Sequence, residues 1–380
     1  MRPARAIVAG GGPVGLALAC VLRGFDVHVI EAVAPQIPAE ALDSRVLALS
    51  PGTRDLLRDL GAWERLDKAR IAAVKKMEIF GDSGARLAFA SRPGTALAWI
   101  VEANRLALSL REVLDSMGIT VHAQRANAYG AQASAAWADL EDGARVEGEI
   151  LVGADGPDSP VRRATGIAFE ERPYAEAAVV AHFDTEEPHG GIARQWFRDD
   201  GVLAWLPLPG NRISIVWSAP SQHAELLMAE AAAGFERRVR EAGHSTLGAM
   251  KLISTPAKFP LRSIDVSEPV APGVALVGDA AHAIHPLAGQ GMNLGFRDAL
   301  VLSETLASRT ALERPGDLRV LRRYARSRRE DVTAMHFVTE GLDRLFASGG
   351  TGARVFRNLG LRLVDSQDWA KSALADRAMR

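Results

Sequence analysis

A glycine-rich turn near the start of the chain constrains the fold more than any other feature of the sequence. The apolar residues 6–9 end in Gly10-x-Gly12-x-x-Gly15, and apolar residues at helical spacing follow. In a strand, turn and helix of this kind, the glycines permit a tight turn, close approach of a pyrophosphate and close packing of helix on strand. A second apolar strand ends at Glu31, where a carboxylate can bind a ribose hydroxyl. The segment therefore predicts a βαβ unit that binds a dinucleotide, with FAD and NAD both open.

A second motif follows the apolar residues 150–152. It spans residues 153–162 and contains Asp155 in an Asp-Gly turn, with Ser159 placed to cap the next helix. An acid and glycines at the end of a strand suit a further phosphate or ribose contact. A turn followed by a capped helix explains the same residues equally well, so both interpretations stay open.

A third motif, at residues 274–298, favours FAD over NAD. Asp279 ends a buried strand, where its carboxylate can accept a hydrogen bond from a ribitol hydroxyl, and Gly289 and Gly291 allow close backbone approach to a flat ring. The helix that begins near Gly291 points its positive end toward that ring, an arrangement that stabilises an anionic reduced flavin. The sequence therefore predicts a flavin enzyme.

Composition argues against several other classes of protein. The formal net charge is −1, whereas broad nucleic-acid binding needs a basic face, so no nucleic-acid partner is expected. The single cysteine, Cys20, excludes an internal disulfide and, among apolar neighbours, predicts a buried, unreactive thiol. His282 and His285 lack companion ligands at metal spacing, so no metal site is expected. Because no signal sequence and no apolar run of transmembrane length is visible, we expect a cytoplasmic protein.

The remaining pattern predicts an α/β protein in which two β-rich insertions interrupt a Rossmann-like FAD-binding domain. The insertions show the alternation and Pro/Gly punctuation of an antiparallel substrate-binding sheet. The predicted ranges are 1–75, 100–168 and 262–318 for the FAD-binding domain, 76–99 and 169–261 for the substrate-binding sheet, and 319–380 for a C-terminal helical segment. Helical spacing predicts helices at residues 53–60, 104–117, 225–241, 319–346 and 353–363.

Together these residues resemble the UbiH-type ubiquinone-biosynthesis hydroxylases, which are single-component FAD-dependent aromatic monooxygenases of the p-hydroxybenzoate hydroxylase-like group. Residues 285–298 are similar to that family's signature almost position for position, and Asp43-Ser44-Arg45 is similar to its D-x-R segment. The resemblance implies non-covalent FAD, NAD(P)H as reductant, and oxygen transfer from a flavin C4a-hydroperoxide to an aromatic ring. It also implies the p-hydroxybenzoate hydroxylase-like fold.

The resemblance further implies roles for individual residues. FAD would be held by Gly10, Gly12, Pro13, Val14, Gly15, Glu31, Arg45, Arg105, Asp155, Asp279, Gly289, Gly291, Met292 and Asn293. The catalytic loop beside the isoalloxazine would contain His285, Pro286, Gly289 and Gln290. His285 either assists deprotonation of a phenol or fixes the loop by hydrogen bonds. Trp205, Trp217 and Leu206 either line the ring pocket or pack within the sheet.

The identity of the substrate and of the partners stays open among three hypotheses. The first is a polyprenylated phenol of ubiquinone biosynthesis, which would place the protein against the inner membrane or within a biosynthetic complex. The second is a soluble phenol of aromatic degradation or natural-product synthesis, and the third is a flavin-binding scaffold subunit. Arginines crowd residues 319–329, where they form either a solvated face or a docking surface. Homo-oligomerisation also stays open.

Overall fold

The computed structural model describes residues 3–35, 42–81, 84–284 and 291–347. The strands are β1 (Ala4–Ala9), β2 (Phe25–Ile30), β3 (Val46–Leu49), β4 (Ala72–Val74), β5 (Lys76–Phe80), β6 (Arg86–Ala90), β7 (Ala98–Glu102), β8 (Thr120–His122), β9 (Ala126–Gln132), β10 (Ala135–Leu140), β11 (Arg145–Gly148), β12 (Ile150–Gly153), β13 (Glu170–Thr185), β14 (Ile192–Arg198), β15 (Gly201–Leu208), β16 (Arg212–Pro220), β17 (Met250–Leu252), β18 (Ala257–Asp265), β19 (Val270–Ala271), β20 (Val274–Leu276) and β21 (His282–Ala283). The helices are α1 (Pro13–Val21), α2 (Pro51–Asp59), α3 (Ala62–Arg65), α4 (Ala103–Met117), α5 (Pro160–Ala164), α6 (Ser221–Ala229), α7 (Ala232–Ala242), α8 (Gly291–Ala307) and α9 (Leu318–Ala347). Short 3₁₀ turns lie at Lys68–Arg70 and Gly278–Ala280.

A six-stranded sheet in the order β19-β20-β12-β1-β2-β8 forms the centre of the nucleotide-binding unit. All of its neighbouring strands are parallel except β19, which is antiparallel to β20. Ala6 and Val8 of β1 pack in one core with α1, α4 and α8, whereas Ile7 and Ala9 pack on the other face with the β9–β11 sheet. Burial on both faces explains why the strand is a continuous apolar run.

The second sheet is mainly antiparallel and follows the order β21-β18-β13-β16-β15-β14-β5-β6, with β17 also paired to β13. Its strands β5 and β6 come from an early part of the chain, and β5 runs parallel to β14. Helices α6 and α7 cover one face of this sheet. A small sheet, β3-β7-β4, packs with Ala193 and Leu208 of the large sheet. The predicted fold class, with interleaved sheets and a C-terminal helix, is confirmed; the domain boundaries stay a prediction.

The helix predictions agree with the structure except within residues 225–241. That segment forms two helices, α6 and α7, because Glu230 and Ala231 are extended, with ψ of 140° and 149°. Neither residue is glycine or proline, so no breaker in the sequence marks this interruption. The predicted helix at 353–363 lies outside the described residues. None of the described helices is long and apolar enough to cross a bilayer.

Two histidines at the edge of the parallel sheet predict a pH-dependent stability. His28 Nδ1 lies 2.9 Å from His122 Nε2, and the rings stack. Burial, above all, lowers the pKa of both imidazoles, while Asp26 partly opposes this at His28. The unfolded chain therefore binds more protons than the native protein once the pH falls below the ordinary histidine pKa of about 6.5. We expect the free energy of unfolding to decline with falling pH in that range, and more shallowly in His122→Gln; equal slopes in urea titrations would contradict this.

Candidate active site

The glycine-rich turn is shaped by two different requirements. Gly10 has a φ of +115°, and a Cβ there would lie 2.2 Å from the carbonyl oxygen of Ala154. A Cβ at Gly15 would lie 2.1 Å from the carbonyl oxygen of Gly10, so helix and strand approach closely. A Cβ at Gly12, in contrast, would meet no atom within 4 Å. The protein's own packing therefore requires Gly10 and Gly15, whereas Gly12 leaves open space at the start of α1.

The N terminus of α1 has the properties of an anion site. Gly12 is its N-cap residue, Pro13 occupies the first turn, and no side chain caps the helix. Uncapped amides and the helix dipole favour a phosphate at this position. Val14 lies where the glycine-rich turn meets the third motif, because a Cβ at Gly278 would be 3.4 Å from it and a Cβ at Gly295 would be 2.8 Å from it. The turn, the third motif and α8 are thus assembled around Val14.

Glu31 follows β2 and is buried beside the glycine-rich turn. Its Oε2 forms an ion pair with Arg111, whereas its Oε1 is buried without a hydrogen-bond partner. Burial raises the pKa of Glu31 more than Arg111 lowers it. A Cβ at Gly11 would lie 2.3 Å from this carboxylate, so Gly11 is required here. We did not single out Gly11 from the sequence, although the run of three glycines contains it. The unpaired Oε1 suits a ribose hydroxyl.

The D-x-R segment is held by hydrogen bonds that leave Arg45 free to reach outward. The Asp43 carboxylate accepts from Arg45 N–H at 2.9 Å and from Asn104 N–H at 2.8 Å, which caps α4. The Arg45 side chain itself is exposed. Arg105 is less available, because its Nε lies 3.2 Å from the buried Glu102 carboxylate. Burial would raise the pKa of Glu102, but hydrogen bonds from Arg70 and the Asp43 backbone give a net lowering, so this carboxylate remains an anion beside Arg105.

The second motif forms a turn followed by a capped helix. Asp155 Oδ2 accepts from Val161 N–H, and Ser159 Oγ accepts from Arg162 N–H, both at 2.9 Å. The alternative of a turn and helix cap therefore describes its local geometry. One oxygen, Asp155 Oδ1, is buried without a hydrogen-bond partner, and burial raises the pKa of this carboxyl. Arg162, which the sequence analysis did not select, donates to the Ala280 carbonyl at 2.8 Å and so joins this motif to the third one.

Asp279 stands out within the third motif because it is exposed while its neighbours are buried. The side chain reaches solvent, yet protein surrounds it closely enough to raise its pKa, against the lowering effects of His282 and Arg45. Among the described residues it has no hydrogen-bond or ion-pair partner. An exposed carboxylate that has no partner among the described residues suits a ribitol hydroxyl of FAD.

The start of α8 is fixed by Asn293. Its Oδ1 accepts from Ser50 N–H and Thr53 Oγ1, and its Nδ2 donates to the Ala48 carbonyl, each at 2.9 Å. The amide thus ties α8 to the connection between β3 and α2. Met292 is half-buried against the core of the nucleotide-binding unit. A Cβ at Gly291 would lie 3.6 Å from Ile284.

The predicted catalytic residues His285, Pro286, Gly289 and Gln290 lie outside the described residues, so their roles stay predictions. Among the described residues, no group of three or more histidine, cysteine and acidic side chains could hold a metal ion. Cys20 is fully buried, and burial raises its pKa to about 12.

Trp205 and Trp217 lie on the face of the large sheet that is opposite the D-x-R segment. Trp205 and Trp217 are buried in the core beneath α6 and α7, so they pack within the sheet instead of lining a ring pocket. The opposite face approaches the D-x-R segment, because His182 Nε2 donates to the Asp43 carbonyl at 2.8 Å and Leu206 packs near Leu42. That face carries apolar side chains that form a strip: Val180, Val202, Ala204, Leu206 and Val216. Val216 pairs with Val180 and Ala204, whereas Val202 and Leu206 pair with Ser218 and Ser214. The strip suits an apolar ligand.

The site can be compared with the chemical groups of FAD. The open space at Gly12, the uncapped helix, the unpaired oxygen of Glu31 and the accessible Asp279 carboxylate match the pyrophosphate, ribose and ribitol of FAD in kind. The exposed Arg45 adds a positive charge, and its field acts on Asp279. The residues present therefore fit the cofactor.

Comparisons with known proteins identify the family of this chain. Residues 4–337 match a family described as the FAD binding domain. The chain is 33% identical to the ubiquinone hydroxylase UbiL of Rhodospirillum rubrum, covering 100% of this chain and 90% of that protein. It is 32% identical to the 3-demethoxyubiquinol 3-hydroxylase of Escherichia coli K12, covering 96% and 95%. The crystal structure of Klebsiella pneumoniae HpxO with FAD and uric acid shares the fold, with a TM-score of 0.76 at 20% identity, covering 99% and 97%. The chain therefore belongs to the FAD-binding-domain family and, within it, to the ubiquinone-biosynthesis hydroxylase family.

Proposed function

We propose that this protein is an FAD-dependent monooxygenase that uses NAD(P)H and O₂ to hydroxylate the aromatic ring of a polyprenylated phenol in ubiquinone biosynthesis. The observation that carries this proposal is the position of an apolar strip beside the FAD-binding features of the described residues. His182 and Leu206 link the sheet that bears the strip to the D-x-R segment. The names of the relatives support the same reaction class, since one is a ubiquinone hydroxylase and the other a 3-demethoxyubiquinol 3-hydroxylase.

FAD, when bound, supplies the oxygen-transfer chemistry. The chain's residues would bind and orient it: the amides at the start of α1 would hold the pyrophosphate, Glu31 Oε1 the ribose, and Asp279 the ribitol. Arg45 extends from a backbone that Asp43 orders and places positive charge on the flavin side of the site. The segment that contains His285 and Pro286 is proposed to lie beside the isoalloxazine.

The apolar strip is the feature that favours a prenylated substrate over a small soluble phenol. Val202, Ala204 and Val216 are only half-buried. The residues that pair with Leu206, Val202 and Ala204 include Ser214, Ser218 and Gln195, which are polar but uncharged. Each isoprenoid methyl or methylene that such a surface covers contributes about 0.8 kcal/mol to binding. A small soluble phenol would need polar partners for its ring substituents rather than an extended aliphatic surface.

A prenylated substrate resides in a bilayer, so we propose a cytoplasmic protein that contacts the inner membrane peripherally. The exposed arginines of α9 include Arg319 and Arg326, whereas Arg322 and Arg329 lie 3.5 and 4.0 Å from Glu268. Arg328 differs, because it is buried and paired. Because Arg322 and Arg329 both pair with Glu268, this arginine-rich part of α9 is better explained as a solvated face than as a docking surface. Flotation of the purified protein with vesicles of phosphatidylethanolamine and phosphatidylglycerol tests the membrane contact, and recovery of the protein only in the lipid-free fraction would contradict it.

Replacing Val216 with phenylalanine tests the role of the apolar strip. Val216 pairs with Val180 and Ala204 across the neighbouring strands, so a larger ring at this position would occupy space over the strip. We expect kcat/KM for a phenol with several isoprene units to fall about tenfold or more, since fewer methylenes can be covered, and kcat/KM for the unprenylated phenol to change less.

The matched control is Leu226→Ala, which changes an exposed apolar residue on α6, a helix of the opposite face. This variant should have the wild-type kcat/KM for both the prenylated and the unprenylated phenol. If Val216→Phe lowers kcat/KM equally for both phenols, the strip does not hold the prenyl chain, and the soluble phenol becomes the better proposal.

A further inference from the structure

Asp298 of α8 joins three separate parts of the flavin-binding unit. Its side chain is fully buried. Oδ2 accepts hydrogen bonds from Gly278 N–H at 2.9 Å and from His282 Nε2 at 2.6 Å. Oδ1 accepts from Arg328 Nε of α9 at 2.7 Å. One carboxylate therefore fixes the turn after β20, the strand β21 and the helix α9 relative to α8.

The two motif residues that Asp298 holds are next to predicted FAD contacts. Gly278 directly precedes Asp279, has a φ of +58° and lies close to Val14 of α1. His282 begins β21 and stands three positions before His285 in the sequence. A change in the hydrogen bonds of Asp298 would therefore act on both the Asp279 turn and the chain that leads to the predicted catalytic loop.

Hydrogen bonds between charged side chains connect Asp298, His282 and Arg328. Burial lowers the pKa of His282, but the adjacent Asp298 carboxylate raises it by more, so the net shift of the pKa is upward and favours the protonated imidazole. Arg328 also pairs with Asp331 at 2.6 Å. A cavity of about 290 Å³ borders His282, Asp298 and Arg328, so one side of the cluster lacks close packing. Removal of one member leaves a buried charge without its partner.

We propose that Asp298 and Arg328 are positioning residues for the cofactor, which act through Gly278 N–H and His282 to set Asp279 for FAD. The partners of Asp298 are distant in sequence: His282 lies 16 positions away, Gly278 20 positions and Arg328 30 positions. The proposal rests on FAD as the cofactor in the proposed function and not on the identity of the phenol. A protein that binds FAD but hydroxylates no phenol would refute the proposed substrate and leave this inference intact.

The test compares His282→Ala and His282→Gln, with Glu304→Gln as a control for an exposed acid on the same helix. FAD is titrated into apoprotein by fluorescence, and visible circular dichroism of the bound flavin is recorded at saturation. We expect His282→Ala to raise the Kd for FAD about tenfold or more and to change the flavin dichroism, because a hydrogen bond to a charged group is lost. His282→Gln keeps a donor for Asp298 and should restore both readouts to within about threefold of the wild-type Kd. The control should match wild type.

Several outcomes would overturn the proposal. One is an alanine variant whose thermal unfolding midpoint falls while its FAD affinity and flavin dichroism remain those of wild type, since this indicates a purely structural role. Another is an equal loss of FAD affinity in the alanine and glutamine variants, since donation to Asp298 would then be irrelevant. Asp298→Asn, if it folds, should reproduce the dichroism change of His282→Ala, and a wild-type spectrum would contradict the role assigned to the carboxylate.

Discussion

Replacing Gly12 with alanine is expected to weaken FAD binding by about 100-fold, which corresponds to about 2.7 kcal/mol, while the apoprotein stays folded. The backbone at Gly12 has a φ of −73° and a ψ of 168°, which alanine adopts readily, and the added Cβ would contact no protein atom within 4 Å. The methyl group would instead occupy the space at the uncapped start of α1, where the pyrophosphate must approach the amides. Fluorescence titration of FAD and thermal unfolding of the apoprotein measure the two effects.

Gly10→Ala provides the contrast within the same turn. Its Cβ would lie 2.2 Å from the Ala154 carbonyl oxygen, at a φ of +115° that disfavours alanine. We therefore expect the apoprotein itself to lose about 3 kcal/mol or more of its free energy of unfolding. Wild-type FAD affinity in Gly12→Ala would contradict the assignment of this turn to the pyrophosphate, even if Gly10→Ala behaved as expected.

Replacing Asp279 with alanine is expected to raise the Kd for FAD by about 10- to 100-fold, the cost of losing a hydrogen bond from a ligand hydroxyl to a charged acceptor. The same change should leave apoprotein stability unchanged or slightly higher. Burial raises the pKa of this carboxyl, so the ionised side chain is less favourable in the native apoprotein than in the unfolded chain. Among the described residues, the Asp279 carboxylate forms no ion pair and caps no helix that would stabilise the apoprotein.

Glu241→Ala, at an exposed acid of α7 remote from the nucleotide-binding unit, is the matched control. It should change neither FAD affinity nor the unfolding midpoint measurably. A large loss of apoprotein stability in Asp279→Ala would show that the carboxylate supports the fold. Unchanged FAD affinity in that variant would place the ribitol elsewhere.

Sequence reasoning succeeded where local chemistry dictates the structure. The spacing of Gly10, Gly12 and Gly15 specifies a strand, a turn and a helix over a few residues, and the structure has β1 and α1 at these positions. The fold class could be predicted for a related reason, since the parallel strands are continuous apolar runs and the inserted strands alternate. The roles of the individual site residues, including Asp279 and Arg45, stay predictions that the experiments above address.

Sequence patterns could not predict contacts between residues that lie far apart in the chain. Alternation predicted the strand that holds Trp205 but could not say which face meets the flavin, because both faces of the sheet carry apolar side chains. Arg162 and Arg328 resemble surface arginines in sequence, yet each is buried and joined to the third motif, over 118 and 30 positions respectively. A pattern of residue types within one segment contains no information about such partners.

The central claim is tested most directly by following the oxygen atom. The FAD-loaded protein would be mixed with NAD(P)H, ¹⁸O₂ and a phenol that carries a short prenyl chain, and the product analysed by mass spectrometry. We predict one ¹⁸O atom in a new ring hydroxyl, with NAD(P)H consumed in step with product. Consumption of NAD(P)H that yields only hydrogen peroxide, with no labelled ring product from prenylated or unprenylated phenols, would contradict the assignment of this protein as an aromatic hydroxylase.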